Sequence, residues 1–307
     1  MPRLLPKPVR GVSLVEMLIG MTIALMVLAI ALQLMLLARA RYQRLADEAL
    51  IEERGNQALE LLGRAVRQAG WITDTPASTS IRSWPHTEAP SLMGAENCRD
   101  PKSTPAFGCN RNDGKTGDAL LVRFAGRSAK PDGVDADGAT RDCGGYGVPE
   151  RVASESDPHP GRMLLFVGPN STDKELELRC KSLDRKDPSK DGDAQGMVRG
   201  VETLQLLYTL GPFASAPRIT KSARAMTNED WGRVREVHVS IIVRGERSSA
   251  RKPVASTIAL FPHLPRNHVE ALREDLSFTP ADPGRNRAHF VATFAVRNPL
   301  VCEVNAC

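Results

Sequence analysis

Between Met17 and Ala38 the chain carries no charged residue, and only Thr22 and Gln33 are distinctly polar. As a helix rising about 1.5 Å per residue, about 22 such residues reach roughly 33 Å, enough to cross the hydrocarbon core of a bilayer. A stretch of that length and apolarity is not compatible with exposure to water, so it constrains the fold before any other feature does. One acid, Glu16, stands at its edge. A carboxylate held within hydrocarbon costs about 3 kcal/mol on insertion scales. Glu16 therefore either marks the end of the span at headgroup level or has a use inside it.

The residues before the run bear on that choice. A secretory signal peptide has an apolar core of about 7 to 15 residues followed by a small-residue cleavage site. The run here is longer, but Ala38 to Ala40 ("ARA") supply an A-x-A match, which leaves conventional cleavage there as the alternative. The better fit is a short basic leader, "MPRLLPKPVR", ending in Gly11 and followed by Val12, Ser13, Leu14, Val15 and Glu16. This order resembles the type IV prepilin signature: glycine, a hydrophobic residue, Ser or Thr, an apolar pair, then Glu. The resemblance implies cleavage by prepilin peptidase on the cytoplasmic side after Gly11, methylation of the new amino terminus at Val12, and pairing of Glu16 with the terminal ammonium of a neighbouring subunit. Two charges that are each costly in lipid become tolerable when they meet, so such a pair can set the axial step between subunits. Val12 stands where the family prefers Phe, a conservative apolar change.

Lys and Arg flank the span about equally, with Arg3, Lys7 and Arg10 before it and Arg39, Arg41 and Arg44 after it, so the positive-inside rule gives no orientation. The cysteines do. All six (Cys98, Cys109, Cys143, Cys180, Cys302 and Cys307) follow the span, and an even number suits an oxidising compartment. A single-pass inner-membrane protein with a periplasmic C-terminal region is expected. Six cysteines allow 15 connectivities; proximity pairs Cys98 with Cys109 and Cys302 with Cys307, leaving Cys143 and Cys180, and a metal site is the alternative use.

Charge argues against nucleic acid as a partner. The net charge of +5 falls to about +2 once the three basic residues of the leader are removed, and no Lys/Arg-rich block with interleaved aromatics occurs. With about 230 residues beyond the first helix, the chain can bury a sizeable core. The expected organisation is a leader (1–11), a transmembrane and assembly helix (12–40), an amphipathic continuation (41–70) and a β-rich globular domain (71–307). In the continuation Leu45, Ala49, Leu59, Leu62, Val66 and Ala69 recur at helical spacing, and Arg67 and Gly70 form the stop. A helix from about Leu14 to Ala69 would run roughly 80 Å. Gly55 lies in its middle and reads as a tolerated, exposed glycine, at a cost of about 1 kcal/mol relative to Ala.

Beyond Trp71, strands are predicted at 117–126, 161–168, 174–180, 198–210, 234–245 and 288–298, bounded by Gly, Pro, Asp and Ser. They fit an antiparallel sheet with one face packed on the helix, an α+β, pilin-like fold. Residues 73–116, 130–160 and 182–196 read as loops. Gly70 and Trp71, "GDALLVRFA", "RGVETLQLLY", "WGRVREVHVSIIVR" and "FVATFAVRN" resemble, in order, the landmarks of the PilW family of type IV pilus minor pilins. That resemblance implies a priming and structural role at the pilus tip and cell surface. Its implied partners are other minor pilins of the FimU, PilV, PilX and PilE types, the major pilin, a tip adhesin, prepilin peptidase and the inner membrane. GspJ-like pseudopilins of type II secretion share the leader and a comparable strand and are the closest rival.

Enzymatic readings fare worse. "GCNRNDGKT" (108–116) has five residues between its glycines where a phosphate-binding loop needs four. "DGVDADGATRDCG" (132–144) puts Gly133 and Gly144 at the first and last positions of a calcium loop, where ligands are required, so a solvated acidic loop is expected. The histidines (86, 159, 238, 263, 268 and 289) show no H-E-x-x-H spacing, and there is no G-x-S-x-G. His238 falls on an alternating strand and reads as a sheet residue. No cofactor is implied; a membrane-anchored or secreted enzyme is the remaining alternative.

Overall fold

The computed structural model describes residues 11, 13–72, 89–104, 106–109, 117–130, 135–151, 160–211, 218–248, 256–265 and 269–298. The chain divides into two compact units, Met1–Ala49 and Leu50–Cys307. Helix α1 (Leu14–Gln68) supplies the described part of the first unit and enters the second. In the first unit the apolar side chains from Leu14 to Leu37 are exposed on every side, and the helix is long and apolar enough to cross a membrane.

The second unit contains β1 (Leu92–Ala95), β2 (Ala119–Phe124), β3 (Gly161–Pro169), β4 (Leu176–Lys181), β5 (Gln195–Arg199), β6 (Val201–Leu210) and β7 (Thr220–Lys221). After these come a short helix α2 (Asn228–Trp231), β8 (Val234–Ser248), β9 (Ile258–Ala259), β10 (Val269–Glu270), β11 (Ser277–Phe278) and β12 (Arg285–Ala295). The fold is α+β, and where one sheet is expected from sequence the described residues form two five-stranded sheets and a two-stranded pair of β9 and β11. Strands β1 to β5 form an antiparallel meander in chain order, and a second five-stranded sheet has the order β10-β7-β6-β8-β12, with only β10 and β7 parallel.

The division occurs inside the run expected to be one strand at 198–210. Gly200 adopts φ +80°, a conformation that side chains rarely accept. Its N–H donates to the Leu176 carbonyl at 2.9 Å in the first sheet, while its carbonyl accepts from Arg244 N–H at 2.9 Å in the second. A Cβ there would meet the Arg244 carbonyl oxygen at 2.9 Å. The chain thus changes sheets at one glycine. A second correction concerns residues 73–116, read as loop: 73–88, 105 and 110–116 lie outside the described residues, but 92–95 pair with β2 as β1.

Burial is also deeper than one face. Ile51, Ala58, Leu62, Ala65, Val66 and Ala69 of α1 share a single apolar cluster with residues of both sheets, among them Leu120, Val122, Leu165, Leu204, Tyr208, Val239 and Ile241. The far face of the first sheet is covered as well, with Leu121, Leu164 and Phe166 beneath Cys98, Phe107 and Cys109. On the second sheet Leu207 and Ile242 pack under Leu260 and Phe261.

Gly55 is buried, not exposed. A Cβ on it would lie 2.3 Å from the Phe290 ring, and one on Gly63 2.6 Å from the Phe294 ring. The spacings match: eight residues of helix rise about 12 Å and four residues of strand about 13 Å. Two gaps on α1 therefore receive two rings from one face of β12. The helix ends under the same strand's extension. Gly70, at φ +71°, donates its N–H to the Arg123 carbonyl at 3.0 Å, and Asn298 Nδ2 donates to the carbonyls of Arg67 (3.2 Å) and Ala69 (3.1 Å). These are acceptors that the last turn of a helix leaves unpaired.

The Gly55 and Phe290 fit has a measurable consequence. Gly55→Ala should lower stability by about 1–3 kcal/mol through overpacking, despite a gain of about 1 kcal/mol in helix propensity. In a Phe290→Ala background the same change should be neutral or stabilising. Urea unfolding of the four proteins of this double-mutant cycle measures the coupling, and additive effects would contradict the fit.

Candidate functional site

Of the residues singled out at the amino terminus, Gly11 and Glu16 are described and Val12 lies outside the described residues. Glu16 falls in the first turn of α1, where the helix dipole favours negative charge. Ser13 accepts the Met17 N–H at 3.1 Å, closing that turn. Glu16 is exposed, as are the apolar residues that follow it, and it makes no ion pair among the described residues. Thr22 satisfies its hydroxyl locally, donating to the Ile19 carbonyl at 2.9 Å, so it adds no unpaired polar group to the run. What remains is a helix surface apolar all round with one acid at its start. Such a surface is poorly suited to water, and an acid at its edge is costly wherever the surface enters an apolar medium.

Two disulfides brace the second unit. Cys98 is joined to Cys109 and Cys143 to Cys180, with Cα atoms 5.4 and 6.3 Å apart, while Cys302 and Cys307 lie outside the described residues. The first fastens a loop to the far face of the first sheet, and the second ties the 135–151 segment to β4. In that segment Asp137 and Asp142 spend carboxylate oxygens on nearby backbone N–H groups, those of Ala139 and of Gly144 and Tyr146. Among the described residues no group of three or more His, Cys, Asp or Glu could hold a metal ion. Most of the 108–116 segment, together with His86, His159 and His268, lies outside the described residues.

Polar groups are packed between the strands, among them Asp118, which sequence reading missed. Asp118, at the entry to β2, accepts the Leu206 N–H at 2.8 Å and donates its own N–H to the Leu204 carbonyl at 2.6 Å, linking the two sheets. Burial raises its carboxyl well above the ordinary Asp value, against the Leu206 hydrogen bond. His238 bridges Thr209 of β6 and Thr293 of β12, its ring nitrogens 2.7 and 2.8 Å from the two hydroxyls. His289 Nε2 lies 2.8 Å from Ser240 Oγ and 3.1 Å from the Leu260 carbonyl. A carbonyl can only accept, so this nitrogen carries the proton. The sequence signal for His238 was its place on an alternating strand, which says that it belongs to the sheet and nothing about its partners.

Burial holds both imidazoles below the ordinary histidine value, with His263 adding to the effect; Glu236 opposes it at His238 and the Leu260 carbonyl at His289. Histidines kept neutral in the fold but protonated in the unfolded chain bind fewer protons when folded. Their contribution to stability is complete above roughly pH 6.5 and is lost as the pH falls below it. Urea midpoints should therefore drop on acidification through that value, and a His238→Gln, His289→Gln double variant should show a flatter profile. An unchanged profile would exclude these two groups as its source.

Two families match by sequence. The one described as "Type IV Pilus-assembly protein W" covers residues 165–298, from within β3 to the capping Asn298, and the "Prokaryotic N-terminal methylation motif" covers 6–32. Among solved structures, a type IV-like pilin from Thermus thermophilus is 11% identical, with a TM-score of 0.39, and the similarity covers 81% of this chain and 97% of that one. No curated protein matches.

Proposed function

We propose that this chain, a PilW-type, prepilin-like protein, is a minor pilin that primes type IV pilus assembly and sits with other minor pilins at the pilus tip. One observation carries the reading: a single chain holds the N-terminal methylation motif, a helix apolar on all sides and a W-type head. In this reading prepilin peptidase cuts after Gly11 at the cytoplasmic face and Val12 becomes the methylated amino terminus. Glu16, four residues on, then pairs with the ammonium of an adjacent subunit. In the membrane the helix is surrounded by lipid. In the fibre its neighbours are other helices, and a shift in axial register would leave two charges unpaired in an apolar medium. The anchor supplies the stacking rule shared by all pilins. The head, braced by disulfides in an oxidising periplasm, supplies the surfaces that select other minor pilins, the major pilin and a tip adhesin.

Mass spectrometry of the amino terminus, in cells with and without prepilin peptidase, tests the first step. The expected product is a methylated Val12 start that disappears without the peptidase. An intact Met1, or a start at Arg41 in both strains, would overturn the pilin reading. Loss of the gene should reduce surface pili; a secretion defect with normal piliation would assign the chain to a type II pseudopilus instead.

The charge pair makes a separate claim. Glu16→Ala should be cleaved normally yet support far fewer pili than the wild type, since one unpaired charge in an apolar medium costs about 3 kcal/mol. Pilus counts by electron microscopy beside the processing assay separate an assembly defect from a cleavage defect. Normal piliation in that variant would remove Glu16 from the assembly mechanism.

A further inference from the structure

The outer face of the second sheet mixes histidines with apolar side chains. Residues directly across the ladder share a face, which puts Leu207, His238 and Thr293 in one row and Thr203, Ile242 and His289 in another. Leu207 and Ile242 are fully buried under Leu260 and Phe261, which are 1% and 6% exposed. The cover is a small layer in which β9 pairs with β11, Leu260 N–H donates to the Leu276 carbonyl at 3.0 Å and Leu264 N–H donates to the Phe261 carbonyl at 3.2 Å. Its other limb, β10, is held separately. It pairs with β7, its Glu270 carbonyl accepts the Ser222 N–H at 3.0 Å, and the Glu270 carboxylate meets Lys221 at 3.6 Å.

Three imidazoles gather where the first limb crosses the sheet. His263, exposed on the cover just past Phe261, has its ring centroid 5.9 Å from that of His238. His289 holds the cover directly, Nε2 donating to the Leu260 carbonyl at 3.1 Å. His238 spends both ring nitrogens on Thr209 and Thr293, and Thr209 Oγ1 also lies 2.7 Å from Thr220 Oγ1. The neighbouring strands β6, β7 and β12 thus offer His238 a chain of hydroxyls. The charged and titratable groups that act on it among the described residues are Glu236 of its own strand, which Arg218 meets at 3.2 Å, and His263 of the cover. On His289 the titratable group that acts is again His263.

A neutral imidazole has one nitrogen that accepts, so one of the two hydroxyls beside His238 donates to it. An imidazolium donates from both nitrogens and forces that hydroxyl to turn away from its present bond. At His289 the proton on Nε2 is committed to the Leu260 carbonyl, and a second proton goes to Nδ1. Like charges then stand on both sides of a buried contact, where they repel more strongly than in water. We propose that His238, His263 and His289 form an acid-sensitive latch: on taking up protons they release residues 256–264 and β11 from the second sheet, opening the apolar surface of Leu207 and Ile242, while β10 stays on β7. Burial, and then His263, hold the two sheet histidines below the ordinary value of about 6.5, against Glu236 and the Leu260 carbonyl. The latch is therefore closed at neutral pH and opens on acidification below that value. It belongs to the head alone and does not rest on the assembly role.

Hydrogen–deuterium exchange of the full chain in detergent, resolved by peptide and expressed as protection relative to intrinsic exchange at each pH, tests the latch. Between about pH 7.5 and about pH 5, peptides over 256–264 and 276–278 should lose protection by about tenfold or more, while peptides of β2, β3 and β10 keep theirs. The His238→Gln, His289→Gln double variant, whose amides still form hydrogen bonds but take no proton, should match the wild type at the higher pH and lose the acid response. If that variant does not fold, His263→Gln, at an exposed position, should reduce the response by about half. Overturning results are an acid loss shared equally by β2, β3 and the cover, no loss in the wild type, or a loss undiminished in the folded variants.

Discussion

Both sheets close on the second half of α1, and they can do so because that half is built of alternating small and large side chains. Gly55, Ala58, Gly63, Ala65 and Ala69 let strands approach, while Ile51, Leu62 and Val66 fill the space between them. With about 25 cal/mol for each Å² of apolar surface withdrawn from water, a helix buried against two sheets contributes more than one laid on a single sheet. The rings of Phe290 and Phe294 then fix its position along the strand. A shift of α1 by one residue would move Gly55 from beneath Phe290 and bring a larger side chain there, at a steric cost that a uniform Leu surface would not impose.

Charge is handled differently in the two units. The described part of the first keeps Glu16 exposed at the start of an apolar surface, with no ion pair among the described residues. The second buries charge and mostly neutralises it internally, as with Glu202 between Arg287 and Arg244. Asp118 is a third case, an acid whose burial favours the neutral form while one oxygen accepts a backbone N–H from the opposite sheet. These groups add little net stability compared with well-packed apolar residues, but each satisfies its partners in one arrangement only. That selectivity is what joins two sheets in a single register.

The methylation motif, the long apolar helix and most strands were legible in the sequence because their signals are local: a motif within six residues, a charge-free run, and alternation bounded by Gly and Pro. Three features were not, and each depends on a distant partner. Gly200 lies in a run that alternates like one strand, and only the competing hydrogen bonds of Leu176 and Arg244 split it. Residues 92–95 are too short and too glycine-containing to signal a strand without Leu121 and Val122 beside them. Gly55 reads as exposed unless Phe290 is known to occupy the space above it. The "RN" at 297–298 was recognisable as a landmark, but its physical role, Asn298 capping α1, becomes visible only when the two ends of the head meet.

The meeting of first and last elements has a kinetic corollary. The acceptors at the end of α1 receive their side-chain donor from Asn298, roughly 230 residues later, and the gaps at Gly55 and Gly63 are filled from β12. Contacts of such sequence separation form only after the loop-closure entropy of the intervening chain has been met. The meander of β1 to β5 pairs neighbours in order and can form early, whereas β12 joins β8 and covers the helix only after the other described strands have been made. Until then the apolar face of α1 that β12 covers is open to other apolar surfaces. The terminal strand is therefore the element that converts a partly assembled head into a closed one.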